Sequence, residues 1–228
     1  MTEYNITFSY SAWSMWEKCP RQYKFAKIDK LPTPTNPAFV KGRRVHTAME
    51  KYVKGELPER PTEARLFTAL ADGLRDTPAG LKIVEEQMAF DRAQLPVSWF
   101  GKTAFYRYVW DVAVLDDPVR PTHIEMADWK TGKMYGSYDA QMQIFAIPAY
   151  LRFPSLQSFA GNLIYLESGD SARTVYTRAQ FENGLNDLWK SNAAMMASNR
   201  AFDPKPSRDA CRFCDFHAKK GGPCRDGV

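Results

Sequence analysis

Asp128-Trp129-Lys130-Thr131-Gly132 is the stretch of this chain best equipped for chemistry. In an extended strand, side chains two apart share a face, so Asp128 and Lys130 project together. Asp111 lies on the preceding strand. A turn at Asp116-Asp117-Pro118 and Pro121 folds that strand back and brings Asp111 within a residue or two of the pair. Carboxylates converge only where something cationic offsets their repulsion, and a hard divalent ion with oxygen ligands does so. Such an ion activates water and clamps a phosphate. An ammonium alongside can orient or deprotonate that water and stabilise charge on a phosphate oxygen. Asp-x-Lys alone is equally the pattern of a solvated strand, so its company matters. Glu85-Glu86-Gln87, on the strand before the hairpin, can bring a third carboxylate. His46 sits in Gly42-Arg-Arg-Val-His-Thr-Ala-Met-Glu50, a helical segment. Gln141 opens a later helix, with Phe145 one turn on.

The four cysteines are placed unevenly. Cys211-x-x-Cys214 and Cys224 lie near the C-terminus, and Cys19 lies far upstream. Four are few for a secreted disulfide scaffold of this length. Clustered cysteines in a reducing compartment are metal ligands more often than bridges. Four thiolates can complete a tetrahedral Zn²⁺ site or bind a [4Fe–4S] cluster, with His217 an alternative ligand. Either site would close a very long loop and tie the two chain ends together.

The elements that must position these groups alternate in type. Residues 9–29 read as a helix capped by Ser9 or Ser11 and kinked or split by Pro20. A proline-rich loop, Leu31–Pro37, leads to a helix at 38–54 that stops at Gly55, and a weaker helix spans Glu63–Leu74. Segments 82–90, 103–115 and 122–130 are rich in Val, Ile, Phe, Tyr and Trp and read as strands. Helical spacing returns at 138–153, where Pro148 calls for a bend or break. A strand pair at 159–167 and 172–177 and a helix at 178–198 precede an irregular tail. This order implies a mixed sheet flanked by helices. The 228 residues fit one domain, with a helical part at 1–80, a core at 81–200 and a cysteine tail at 201–228.

A formal net charge of +5 is compatible with a polyanionic partner without proving one. Arg43, Arg44 and Lys133 flank the carboxylate–lysine group and are candidates for phosphate contacts. Aromatic residues beside cations, as in Arg21-Gln-Tyr-Lys-Phe25 and Phe105-Tyr-Arg-Tyr108, could stack bases, although core packing is the commoner use of such rings. The start Met1-Thr-Glu-Tyr-Asn-Ile lacks a signal-peptide pattern, and no run reaches the ~20 apolar residues of a membrane span. The expected location is the cytoplasm.

Taken in order, these motifs resemble the RecB-like branch of the PD-(D/E)XK nuclease superfamily. The resemblance runs through Ser9-Tyr-Ser-Ala-Trp13, Cys19-Pro20, Gly42-x-x-x-His46, Glu86, Arg107-x-x-x-Asp111, Asp128-Trp129-Lys130-Thr131-Gly132-Lys133, Gln141-x-x-x-Phe145 and the terminal cysteines. The chain is similar to phage and bacterial exonucleases related to the nuclease of CRISPR adaptation and to the AddB nuclease domain. The resemblance implies a restriction-endonuclease-like α/β fold and a DNA exonuclease using Mg²⁺ or Mn²⁺ on single-stranded or end-containing DNA. Its role would lie in replication, recombination or repair. His46, Asp111, Asp128 and the Trp129 carbonyl would ligate the ion, and Lys130 would be the catalytic lysine. Glu86 would join directly or through water, with Glu85 a substitute, and Gln141 would position substrate or lysine. Cys19, Cys211, Cys214 and Cys224 would hold [4Fe–4S], with Zn²⁺ the alternative. The family commonly has tyrosine where this chain has Phe145, which removes one hydroxyl contact. The competing expectation is a DNA-binding or CRISPR-adaptation-related factor that keeps the fold without needing catalysis.

Overall fold

The structure, a computed structural model, describes residues 6–134 and 138–228. The first five residues, read above for a leader, lie outside the described part. Helices α1 (Tyr10–Lys18) and α2 (Pro20–Tyr23) open the chain, followed by a π-helical turn at Lys24–Ile28. Next come α3 (Pro37–Val53), α4 (Thr68–Asp76), and strands β1 (Lys82–Phe90), β2 (Pro96–Val97), β3 (Tyr106–Leu115) and β4 (His123–Lys130). Helix α5 (Asp139–Arg152) leads to β5 (Ser158–Tyr165) and β6 (Ser171–Thr177). The last helices are α6 (Arg178–Gln180), α7 (Asn186–Ser198) and α8 (Arg208–Arg212). The strands form one sheet in the order β2-β1-β3-β4-β5-β6. β3 and β4 run antiparallel, β4 and β5 parallel, and β5 and β6 antiparallel. A parallel pair needs a crossover, and α5 supplies it. The mixed sheet with flanking helices is the restriction-endonuclease-like class expected above.

The chain divides into two compact units. The larger comprises residues 36–89 and 108–188. Asn36 caps α3 by accepting a hydrogen bond from the Ala38 N–H, and Pro37 takes the first helical position, where a missing N–H costs nothing. Val45, Met49, Tyr52 and Val53 recur at helical spacing and pack against Val112, Ala127, Trp129 and Ile164 of the sheet and Leu166 just past β5. Lys82 closes the far ends of α3 and α4. Its ammonium donates to the carbonyls of Val53, Leu74 and Arg75 at 2.9, 3.2 and 2.7 Å, satisfying acceptors that a helix end leaves open. Helix α5 continues through Pro148, where a bend or break was expected. It is buried from Gln141 to Met142 and from Ile144 to Tyr150, and that packing outweighs the roughly 3 kcal/mol that an interior proline costs. The weak helix expected at Glu63–Leu74 is a 3₁₀ stretch, Thr62–Phe67, running into α4.

The smaller unit comprises residues 1–35, 90–107 and 189–228. Ser9 caps α1 by accepting from the Ala12 N–H. The helix stops at Cys19, whose extended backbone (φ −164°, ψ 110°) is what the following Pro20 demands. Trp13 meets Trp189 edge-on with ring centres 4.8 Å apart, and Phe25 lies 5.5 Å from Phe216, so the two ends of the chain share one core. β3 starts later than expected because Ser98–Phe105 forms two turns. Gly101 N–H donates to Ser98 O and Ala104 N–H to Gly101 O.

Candidate metal centre

The β3–β4 ladder ends at the Val112–Ala127 pair, and Asp111 and Asp128 are the next residues of the two strands beyond it. Ala127 and Trp129 are buried in the α3-facing core. Asp128, between them, therefore points the other way, where Gln141 of α5 donates to its Oδ1 at 3.5 Å. Lys130, on the same face, sets its Nζ 2.5 Å from Asp128 Oδ2. Asp111 is held from two sides. The Trp129 N–H donates to Oδ2 at 2.7 Å, and His46 Nδ1 lies 3.2 Å from Oδ1. The buried Trp129 ring anchors that peptide, so core packing fixes the orientation of a site carboxylate.

Among the described residues, His46, Glu85 and Asp111 each offer one ligand atom, and these atoms all lie within 4.8 Å of one another. One imidazole and two carboxylates at that spacing suit a divalent ion. Glu86, the acid expected here, goes elsewhere. It pairs with Arg152 at 2.6 Å. Strict alternation puts neighbouring strand residues on opposite faces, and the local backbone decides which acid turns inward. Glu85 has a φ of 51°, a left-handed conformation rare for a residue with a side chain. Such strain persists where the surroundings enforce it, commonly at functional sites.

Asp128, Lys130 and Gln141 form an adjoining group rather than part of the three-atom set. Of the expected phosphate contacts, Arg43 lines the same cleft as His46 and Glu85, whereas Arg44 is paired with Glu63 at 2.8 Å. Phe145 is buried and its carbonyl accepts from the Trp110 indole at 3.2 Å.

The electrostatics are those of a crowded acidic site. Burial pushes the Glu85 carboxyl up to about 7, and the negative charges of Asp111 and Glu50 push the same way. Burial also raises Asp128, against the pull of Lys130. Burial alone would lower His46, but its hydrogen bond to Asp111 and the charges of Asp111, Asp128 and Glu85 outweigh it and raise the imidazole. Each of these acids would be relieved by a cation.

In the smaller unit, Cys19, Cys211, Cys214 and Cys224 are free thiols lining one cavity with Arg21, Gln22 and Phe25. Ser207 caps α8 by accepting from the Ala210 N–H, and Cys214 N–H returns to Cys211 O, closing the Cys-x-x-Cys turn whose two cysteines both line the cavity. Gly221, at φ 79°, lets the tail double back so that Cys224 N–H reaches Phe216 O. Arg21 ties the first helices to the tail by donating to Phe202 O at 2.9 Å. His217 also lines the cavity, with its Nδ1 accepting from the Lys219 N–H. Burial raises the Cys214 thiol, and the other three thiols add to the effect.

A profile of the PD-(D/E)XK nuclease superfamily matches residues 7–218. The chain belongs to that superfamily, and membership implies a metal-dependent nuclease with a nucleic acid as substrate. A solved structure described as the crystal structure of SSO0001 aligns over 92% of this chain and 82% of its own, at 14% identity and a TM-score of 0.45. No curated protein matches significantly. Among the described residues, no helix is long and apolar enough to cross a membrane.

Proposed function

We propose that this chain hydrolyses DNA phosphodiesters with Mg²⁺ or Mn²⁺ held by His46, Glu85 and Asp111, as an exonuclease on single-stranded or end-containing DNA in replication, recombination or repair. One observation carries the metal-dependent reading. An imidazole and two carboxylates converge within 4.8 Å beside an ion-paired lysine. An ion held there by His46, Glu85 and Asp111 would supply Lewis acidity for water activation and for polarising the scissile phosphate. Trp129 N–H fixes Asp111, leaving Oδ1 toward His46. Asp128 and the Trp129 carbonyl are the further candidate ligands beside that set. Lys130, ion-paired with Asp128, would donate from Nζ to a non-bridging phosphate oxygen as charge builds there. Gln141 holds Asp128, and through it the lysine. The exonuclease preference rests on the resemblance to RecB-like exonucleases.

The four cysteines, in the same reading, hold a [4Fe–4S] cluster rather than Zn²⁺. One ligand from the N-terminal helices and three from the tail is the iron–sulfur pattern that the resemblance implies. Iron analysis and absorbance near ~400 nm of aerobically and anaerobically purified protein decide this assignment.

The test of the reaction is digestion of end-labelled single- and double-stranded oligonucleotides in Mg²⁺, Mn²⁺ and EDTA, with Lys130→Ala alongside. Metal-dependent cutting lost in EDTA and in the variant supports the reading. Cutting indifferent to both overturns it.

A further inference from the structure

The cleft holding His46 and Glu85 extends past the metal ligands along one stripe of α3. Phe39, Gly42, Arg43, His46, Thr47 and Glu50 line it, at the three- and four-residue spacing of a single helix face, and the space amounts to about 470 Å³. Phe39 stands in the first turn with 65% of its surface exposed. A single exposed aromatic is ordinary on a protein surface, but three features make this one informative. First, it opens into the cleft that holds two of the three clustered ligands. Second, Arg43 lies one turn on, with its guanidinium 6.0 Å from the Phe39 ring, and among the described residues it has no ion pair, whereas Arg44 and Lys41 are paired with Glu63 and Glu167. Third, Gly42 stands between Phe39 and His46 and presents no side chain. Gly42 itself lines the cleft, so its backbone forms part of the floor, and a Cβ there would sit in ordinary contact with Thr131 Oγ1 at 3.5 Å.

A flat apolar ring, a free guanidinium and an open floor beside a phosphodiester-cutting centre suit an unpaired nucleotide, with its base on the ring and its phosphate on the cation. A paired base inside a duplex has both faces covered and cannot use the ring. Phe39 and His46 are seven residues apart, which is about 10 Å along the helix at about 1.5 Å per residue. With stacked nucleotides about 3.4 Å apart along a strand, that distance is about three nucleotides, and fewer if the strand is extended.

We propose that Phe39 and Arg43 form a subsite for an unpaired nucleotide one to three positions from the scissile phosphate, making this nuclease a reader of single-stranded segments. The proposal rests on the metal-dependent DNA cleavage inferred above. Phe39 and Arg43 position the strand and take no part in bond breaking.

The test scans one abasic nucleotide along an end-labelled single-stranded oligonucleotide and measures kcat and KM in Mn²⁺ for wild type, Phe39→Ala and Phe39→Trp. In the wild type, an abasic residue one to three positions from the cut should raise KM fivefold or more, with kcat changed less than twofold. Phe39→Ala should raise KM for the intact strand by a similar factor and no longer sense the abasic position. Phe39→Trp should restore both affinity and positional sensitivity. Circular dichroism melting of each variant separates lost stacking from lost fold. A wild type that cuts in Mn²⁺ but responds equally to abasic residues at every position refutes the subsite alone, as does Phe39→Ala retaining the wild-type scan. A wild type that cuts no strand refutes the nuclease reading on which the subsite depends.

Discussion

Glu85→Gln separates the two demands placed on one residue, because the change keeps shape and removes charge. In the metal-free protein the Glu85 carboxyl sits at about 7 instead of 4.5, chiefly from burial. A carboxyl raised by folding costs nothing below its unfolded pKa, where it is protonated in both states. The cost grows between 4.5 and 7 and is complete above 7. At 1.36 kcal/mol per pH unit the full cost would be about 3.4 kcal/mol. Glu85 is only half-buried, and solvent screening reduces that to about 1–2 kcal/mol. The glutamine side chain would sit on the same left-handed backbone, so that strain cancels in the comparison. In EDTA at pH 8 the variant should therefore melt about 3–6 °C above wild type, taking about 3 °C per kcal/mol for a chain of this size. At pH 4.5 the two should coincide. Millimolar Mn²⁺ should reverse the order at pH 8, since an ion that binds only the native wild type raises its melting temperature. Differential scanning calorimetry at both pH values, with and without Mn²⁺, reads all four conditions. A variant no more stable than wild type in EDTA at pH 8, or stabilised by Mn²⁺ as much as wild type, would refute the placement of Glu85 in the metal site.

Three further outcomes follow from the same geometry. Lys130→Ala should lower kcat by about 10²–10⁴ while keeping most of the Mn²⁺-induced rise in melting temperature, because Lys130 faces Asp128 and the phosphate rather than the ion; equal loss of both would make it a structural residue. At limiting Mn²⁺, cleavage should rise between pH 6 and 8, since raised Glu85 and His46 must both lose protons to ligate, and saturating metal should move the rise to lower pH; a flat profile at limiting metal contradicts this. Cys19→Ser should open the tail to limited proteolysis, because Cys19 lines the same cavity as the three C-terminal thiols; unchanged cleavage kinetics of the 201–228 segment would mean that no shared cluster ties them.

The convergence of Asp111, Asp128 and Lys130 was legible because it depends on two local rules. Alternation along β4 puts Asp128 and Lys130 on one face, and the short turn before β4 fixes which β3 residue lies opposite. The choice between Glu85 and Glu86 was not legible. It rests on one left-handed residue within β1, and a Glu-Glu pair carries no mark of it. Cys19-Pro20 announced the end of α1, since proline restricts the residue before it. Nothing local announced the continuity of α5 through Pro148, which burial on nearly every side sustains. The Phe39 stripe was equally hidden. A phenylalanine two residues into a helix reads as core until the sheet takes the opposite face, with Val45 and Met49, and leaves Phe39 in solvent.

The most direct measurement is anomalous diffraction at the manganese edge from crystals soaked in Mn²⁺. One peak should lie at coordination distance from a His46 ring nitrogen and from carboxylate oxygens of both Glu85 and Asp111, with Lys130 outside the coordination sphere. A peak bound through Glu86 instead, or full soaking with no ion between His46 and Asp111, would contradict the proposed centre.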